Sequence, residues 1–173
     1  SILLPSKNGE NYIADCISSI LDQDFESYEL IIGNNNNSKN FEEIIDPFLK
    51  LTDKIKIINH KKSLPVHENW QSCLDVSSGK YILMLGDDDC LLKNALKKLY
   101  NIIKENAYPE AITLNGISYY EQGSINKDNY AYYKKNFFNF ARNKISEGKL
   151  NSAQRLDIVK EMFNFNNKFP LNM

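Results

Sequence analysis

The stretch Lys80-Tyr-Ile-Leu-Met-Leu-Gly-Asp-Asp-Asp-Cys90 decides the fold, because it joins an apolar run directly to three consecutive carboxylates. The run is typical of a buried strand, and Asp87, Asp88 and Asp89 follow at its carboxyl end. Adjacent carboxylates repel one another, so a cation is expected to neutralise them. Mg²⁺ or Mn²⁺ is the natural candidate, since both prefer oxygen ligands and keep positions for water and a diphosphate. The alternative is a solvated acidic turn that caps the next helix.

The composition is that of an ordinary soluble globular protein. Of the 173 residues, 42% are hydrophobic and 25% are charged, and the formal net charge is −1. This balance argues against a nucleic-acid-binding surface, and no apolar run approaches the roughly 18 residues of a membrane-spanning helix. Cys16, Cys73 and Cys90 each lie beside apolar residues, which predicts reduced, partly buried thiols in a cytosolic protein.

Strands and helices alternate on both sides of the opening stretch. Each predicted strand is almost continuously apolar, which favours a parallel sheet with helices on both faces. The predicted strands are residues 2–4, 28–32, 54–58, 81–85 and 111–114. The first predicted helix begins near residue 10, and three further helices are predicted at residues 41–51, 66–76 and 92–105. The sequence therefore predicts an α/β protein.

Several local features refine this pattern. Pro5 is expected to stop the first strand, and Pro47 is expected to kink or split the second helix. In the third helix, Trp70, Cys73 and Leu74 are predicted to point inward, and Gly79 to cap its carboxyl end. In the fourth, helical spacing predicts an apolar stripe made of Leu92, Ala95, Leu96, Leu99, Ile102 and Ile103.

Ligands of parallel sheets bind where the strands end, near a topological switch point. Three polar loops are predicted to converge there, at residues 5–10, 33–38 and 86–89. The second contains the run Asn34-Asn-Asn-Asn37, although individual Asn residues are weak functional indicators in a chain so rich in asparagine.

After residue 117 the sequence changes to Tyr, Asn and Lys with little periodicity. We predict a core domain at residues 1–117 and the start of an acceptor-side region, incomplete, at residues 118–173. Within the second region, residues 122–129 are predicted to be a mobile loop. Residues 151–165 are predicted to be a helix with Ile158, Val159 and Met162 inward.

The order of motifs resembles that of the inverting glycosyltransferases of family 2, over roughly residues 1–115. Ile2-Leu-Leu-Pro-Ser-Lys-Asn-Gly-Glu10 looks like the family's first strand and Pro-Thr-Tyr-Asn-x-Glu loop, followed by Ile17-Ser-Ser-Ile-Leu-Asp-Gln23. Glu29-Leu-Ile-Ile-Gly-Asn34 looks like its Glu-Ile-Ile-Val-x-Asp strand. Gly79 to Asp89 is similar to its Gly-Glu-Tyr-Ile-x-x-Leu-Asp-x-Asp-Asp segment, the DXD-type motif.

The resemblance implies the nucleotide-diphospho-sugar transferase (GT-A) fold, a Rossmann-like three-layer α/β/α sandwich around a mostly parallel sheet. It implies that Pro5, Ser6 and Lys7 hold the base and ribose largely through backbone groups, with Glu10 nearby. Asn34 stands where the family usually has an aspartate against uracil. An Asn carbonyl can accept from a ring N–H, but its amide can equally donate to a different base.

Gly86 replaces the first Asp of the DXD-type motif, which moves its role to the next carboxylates. The resemblance implies that Asp87 contacts the ribose or the metal and that Asp88 is the principal ligand of Mn²⁺ or Mg²⁺. It implies that Asp89 supports the site or coordinates the metal through water. Lys62 stands where a basic residue could approach the diphosphate.

The reaction implied is sugar transfer, with inversion, from a nucleotide-diphospho-sugar, first of all a UDP-sugar, to an acceptor hydroxyl. A saccharide or lipid-linked acceptor at the inner face of the membrane is expected, with room for peripheral membrane association through segments outside this chain and no nucleic-acid partner. The general base is expected beyond Met173; Glu147, Asp157 and Glu161 are candidates only by default.

Two other functions stay open at this point. A non-catalytic nucleotide-sugar-binding module is compatible with Asn34, Gly86 and the unassigned base. Nucleotidyl transfer on a related fold is less favoured, because the loop after the first strand has one Gly and one Lys rather than a Gly-rich basic sequence.

Overall fold

The structure is a computed structural model that describes residues 1–112 and 114. Ser1–Glu110 form one compact unit around a four-stranded sheet with the spatial order β3-β2-β1-β4. All the strand pairings in this sheet are parallel. The strands are β1 (Ile2–Ser6), β2 (Leu30–Asn34), β3 (Ile55–Asn59) and β4 (Leu83–Met84). The helices are α1 (Ile13–Leu21), α2 (Lys39–Leu51), α3 (Val66–Asp75) and α4 (Ala95–Glu105).

Both faces of the sheet are covered. Alternate side chains of a strand point to opposite faces, so Leu4 and Ile32 pack against α1 and α2, whereas Leu3 and Ile31 pack against α3. Fully burying each such side chain stabilises the fold by roughly 1.5–3 kcal/mol. The predicted three-layer α/β architecture is confirmed.

Pro5 does not stop β1, because its missing N–H falls where no partner strand needs it. Ile2 N–H donates toward β2, to Glu29 O, at 2.9 Å, and successive residues of a parallel strand bond to opposite neighbours. Pro5 nitrogen therefore faces the β4 side, where strand pairing ends at the Leu3–Met84 pair. β1 continues to Ser6 and β2 to Asn34, two residues beyond each predicted end.

Pro47 does not split α2, which is one helix from Lys39 to Leu51. Phe41 and Ile45 before the proline are buried, and Phe48 after it packs on the same core. Tertiary packing on both sides of the proline holds the helix together in spite of the lost backbone hydrogen bond.

The inward face of α3 differs in part from the prediction. Cys73 is buried and Trp70 packs beside it, as predicted, but Leu74 is 43% exposed. Asn69, four residues before Cys73, is buried instead. Gly79 is not the cap of α3, because the helix ends at Asp75 and Gly79 N–H donates to Ser1 Oγ at 2.8 Å.

The acidic end of the unit is less regular than the sequence predicts. β4 has two residues rather than five, and α4 begins at Ala95 rather than Leu92, which is 66% exposed. Of the predicted apolar stripe on α4, only Leu96 is buried. The strand predicted for residues 111–114 is wrong as far as its described residues go, because Ala111, Ile112 and Leu114 have no regular structure.

Cys16 and Cys73 are buried, whereas Cys90 is exposed, contrary to the prediction for that thiol. No helix within the described residues is long and apolar enough to cross a membrane. The predictions for residues 122–129 and 151–165, and for Glu147, Asp157 and Glu161, lie outside the described residues.

Candidate nucleotide-binding site

The loops that follow the four strands meet at the carboxyl edge of the sheet, and an asparagine cluster joins three of them. Asn35 is buried, and its side chain exchanges two hydrogen bonds with the Leu64 backbone, Nδ2 donating to O at 2.9 Å and Oδ1 accepting from N at 2.7 Å. Asn37 Oδ1 accepts from Asn8 N–H at 2.7 Å, and its Nδ2 donates to Ser6 O at 3.1 Å. The run that seemed a compositional bias therefore fixes the positions of these loops.

Asn34 lies at the end of β2 with 4% of its surface exposed. Its Oδ1 accepts from Asn37 N–H at 3.0 Å, and its Nδ2 donates to Asn59 Oδ1 at 2.9 Å. The side chain thus connects the ends of β2 and β3.

Lys7 and Glu10 attach the loop after β1 to the loop after β2. Lys7 Nζ donates to Asn35 O at 3.0 Å, and Glu10 Oε1 accepts from Ser38 Oγ at 2.8 Å. The Ser38 hydroxyl holds the pKa of the Glu10 carboxyl below its usual value. Both side chains therefore shape the loops to which the family resemblance assigns nucleotide binding.

Ser6, Gly9 and Asp87 bring the first loop against the acidic motif. Ser6 Oγ donates to Asp87 Oδ2 at 2.5 Å, across 81 residues of sequence. Burial raises the pKa of Asp87, while the Ser6 hydrogen bond acts in the opposite direction. A Cβ on Gly9 would collide with both Asp87 Oδ2 and Ser6 Oγ, so only glycine allows this close approach.

We expect Gly9→Ala to weaken nucleotide binding about tenfold, because the added methyl group separates Ser6 from Asp87 and displaces the loop. Titration calorimetry of the complete protein with UDP measures the effect. Asn11→Ala, at an exposed position in the same loop, is the matched control and should bind UDP like the wild type. Equal affinities for the two variants would show that this junction does not shape the site.

Asp88 and Asp89 are exposed beside Gly86, and the residues present fit a divalent cation. A Cβ on Gly86 would lie 2.8 Å from Asp88 Oδ1 and 3.0 Å from Asp89 Oδ2, so one oxygen of each carboxylate lies beside Gly86. Asp89 Oδ2 also accepts a hydrogen bond from Gly86 N–H at 3.2 Å. Among the described residues, no three His, Cys, Asp or Glu side chains form a metal cluster. This open, two-carboxylate arrangement is suited to Mg²⁺ or Mn²⁺ that completes its coordination with water and phosphate oxygens.

Side chains on and just after helix α1 hold the acidic loop and the residues that follow it, a role that the sequence did not predict. Cys16 Sγ donates to Gly86 O at 3.6 Å, and burial, with a smaller contribution from nearby acidic groups, raises the pKa of this thiol to about 12. Ser19 Oγ accepts from Leu91 N at 3.0 Å, and Gln23 Nε2 donates to Leu92 O at 3.1 Å. The only sequence signal was that Ser19 and Gln23 are polar residues on or beside the inner side of an amphipathic helix.

The remaining predicted site residues differ in their placement. Pro5 lies within β1, opposite Gly33 of β2. Lys62 is exposed and forms no hydrogen bond or ion pair within the part of the chain that the structure describes. The Asn35–Leu64 hydrogen bonds nevertheless hold the loop that carries Lys62 next to the end of β2.

A parallel sheet with polar loops gathered at its carboxyl edge is the arrangement in which open α/β proteins bind their ligands. Within that class, the family model described as glycosyl transferase family 2 matches residues 1–163, and the chain belongs to this family.

Relatives with assigned activities include two bacterial glucosyltransferases. The chain is 32% identical over 100 residues to the GalNAc(5)-diNAcBac-PP-undecaprenol beta-1,3-glucosyltransferase of Campylobacter jejuni, covering 57% of this chain and 32% of that protein. It is 28% identical over 107 residues to the UDP-Glc:alpha-D-GlcNAc-diphosphoundecaprenol beta-1,3-glucosyltransferase WfgD of Escherichia coli, covering 61% and 41%. The chain spans about a third of the length of the first relatives it matches, between 32% and 35%.

The fold is shared with TarS of Staphylococcus aureus. The crystal structure of TarS 1-349 matches with a TM-score of 0.58 and 20% identity, covering 61% of this chain and 32% of that one. The complex of TarS with UDP-GlcNAc matches with a TM-score of 0.57 and 21% identity, covering 61% and 31%. The predicted GT-A architecture is confirmed.

Proposed function

We propose that this chain carries the donor site of a glycosyltransferase that moves a sugar from a UDP-sugar to an acceptor hydroxyl with inversion. The observation that carries the proposal is the Ser6–Asp87 hydrogen bond, which joins the first-strand loop to the acidic motif. Two motifs far apart in sequence are thereby brought to one edge of the sheet. A structural domain would not require polar side chains from several loops at this position.

The described residues would share the work of holding the donor. The loops built around Ser6, Lys7 and Asn34, with Pro5 and Glu10 beside them, would hold the base and ribose through backbone groups. Asp87 would face the ribose or the metal with the oxygen that Ser6 does not bind, and Lys62 would lie near the diphosphate. These roles follow from the family resemblance and from the shared edge of the sheet.

Asp88, Asp87 and Asp89 would hold Mn²⁺ or Mg²⁺, with Asp88 as the principal ligand. When bound, the ion would stabilise the negative charge that develops on the leaving diphosphate. The protein would fix the carboxylates in advance, since Cys16, Ser19 and Gln23 hold the acidic loop on α1. The base that deprotonates the acceptor is assigned to the acceptor-binding half rather than to a described residue.

The acceptor proposed is a saccharide or a lipid-linked saccharide, used in surface polysaccharide or glycolipid synthesis at the cytoplasmic face of the membrane. The support is that the relatives in Campylobacter jejuni and Escherichia coli are named for undecaprenol-diphosphate-linked substrates. The TarS complexes with UDP and UDP-GlcNAc support the uridine nucleotide as the donor.

The test is transfer by the complete protein from a panel of UDP-sugars to undecaprenyl-diphosphate-linked saccharides, with Mn²⁺ present. We expect UDP release coupled to a product whose new anomeric configuration, read by NMR, is opposite to that of the donor. Donor binding without transfer or hydrolysis across the panel would favour the non-catalytic module. Absence of donor binding would contradict the proposal altogether.

A further inference from the structure

The side chain of Gln23, just after α1, joins that helix to the segment that enters α4. Only 8% of Gln23 is exposed. Its Nε2 donates to Ser19 O at 2.9 Å and to Leu92 O at 3.1 Å, and its Oε1 accepts from Leu96 N–H at 3.2 Å. One buried amide therefore holds backbone groups that lie 69 and 73 residues away in the sequence.

The backbone partners of Gln23 determine which end of its amide is the oxygen. The carbonyls of Ser19 and Leu92 can only accept a hydrogen bond, and the N–H of Leu96 can only donate one. A turned amide would set its oxygen against two carbonyl oxygens and its nitrogen against a donor. Both ends of the amide are thus used, and each partner is a backbone group that needs the end it has.

Helix α4 receives its cap from Gln23 rather than from its own N-cap residue. That residue, Asn94, has a left-handed backbone with a φ of 62°, and its side chain forms no capping hydrogen bond. The first N–H groups of a helix need acceptors from outside the helix. Gln23 Oε1 supplies one to Leu96, the second residue of α4. Gln23 Nε2 also binds the Leu92 carbonyl, which accepts from Ala95 N–H at 3.0 Å.

This capped turn is the downstream end of the acidic loop. Residues 85–94 belong to no helix or strand, so the positions of Asp88 and Asp89 depend on how the two ends of the segment are held. At the upstream end, Leu85 N–H donates to Leu3 O of β1 at 3.1 Å. At the downstream end, Gln23 holds a carbonyl that lies three residues after Asp89.

We propose that Gln23 is a positioning residue for the divalent cation, because it caps α4 and thereby keeps Asp88 and Asp89 in the arrangement that binds the ion. The inference rests on the proposed donor site and assigns Gln23 a role in ion affinity beyond the stability of the fold. Without the cap, the first turn of α4 would fray and the loop would have to be ordered when the ion binds. The loops after β1 and β2, which hold the base and ribose in the proposed function, would not change.

The experiment compares Gln23→Met with the wild type in the complete protein, because Met keeps the length of the side chain and removes both ends of the amide. Titration calorimetry gives the affinity for UDP with and without Mn²⁺, and the ratio of the two affinities is the enhancement by the ion. We expect Gln23→Met to reduce this enhancement about fivefold and to leave the affinity without Mn²⁺ unchanged. Amide hydrogen exchange without ligands should be faster at Leu96.

Gln71→Met is the matched control, since Gln71 is exposed on α3 and its amide donates to Asp75 Oδ1. It should change neither the enhancement nor the exchange at Leu96. If Gln23→Met does not unfold cooperatively, Gln23→Glu replaces it. This variant sets a carboxylate oxygen against Leu92 O and releases that carbonyl, so we expect the same loss of enhancement.

A normal enhancement by Mn²⁺ in a folded Gln23 variant would overturn the assignment, even with faster exchange at Leu96, because the cap would then serve the stability of α4 alone. Unchanged exchange at Leu96 in Gln23→Met would also overturn it. A wild type that binds UDP equally with and without Mn²⁺ would instead refute the proposed metal site, and the assignment with it. Absence of UDP binding by the wild type would refute the donor site itself.

Discussion

Replacing Asp88 by Asn is expected to reduce sugar transfer roughly 100-fold or more, because the leaving diphosphate would lose the cation that stabilises its charge. The amide keeps the size of the side chain but removes the negative charge that attracts the ion. Asp88 is exposed, so the substitution should leave the fold intact. Initial rates of UDP release at saturating Mn²⁺ measure the effect.

The matched control for this prediction is Asp53→Asn, which removes the charge of another exposed carboxylate, in the turn before β3. It should transfer sugar at the wild-type rate. We expect Mn²⁺ to stimulate the wild type and not the Asp88 variant. If the two variants were equally active and equally stimulated, Asp88 would not be a metal ligand.

Gly33→Ala is expected to destabilise the protein by about 1–3 kcal/mol, because the position has no room for a methyl group. A Cβ on Gly33 would collide with Asn69 Oδ1 and would lie 2.7 Å from Cys73 Sγ. Both neighbours are buried on α3, and Asn69 Nδ2 already donates to Gly33 O at 3.1 Å. Relief would require α3 to move away from the sheet. Chemical denaturation of the complete protein measures the free energy of unfolding.

Gly86→Ala is the natural comparison, since it makes the same chemical change where the nearest atoms are the ends of the exposed Asp88 and Asp89 side chains. These carboxylates can rotate away. We therefore expect the free energy of unfolding of this variant to lie within about 0.5 kcal/mol of the wild-type value. Similar losses of stability in both variants would show that the packing of α3 on β2 does not determine the effect.

The sheet could be predicted from the sequence because hydrophobic patterning is a local signal. Continuous apolar runs and helical spacing identified four strands and four helices of the described unit, and the motif order identified the family. The predictions that were wrong depended on neighbours in the fold. Pro5 is tolerated because β4 no longer pairs with β1 at that point, and Pro47 because the core holds both halves of α2.

The candidate site was predictable in location but not in its internal contacts. The acidic motif and the loop after β1 were identified from the sequence, yet their junction depends on Gly9, which has no signal beyond being a turn residue. The asparagine run was given too little weight in the sequence for a related reason. Asn35 and Asn37 form hydrogen bonds to backbone groups of Leu64, Asn8 and Ser6. Every residue type offers such backbone groups, so the identity of the partner residue does not reveal the contact in the sequence.

We propose that the loops at the carboxyl edge of the sheet form one metal-assisted site for a uridine diphosphate. Titration calorimetry of the complete protein with UDP, with and without Mn²⁺, tests it most directly. We expect one UDP site per chain, whose affinity for UDP rises at least about tenfold when Mn²⁺ is present. Binding that is indifferent to Mn²⁺, or no binding of UDP, would contradict it.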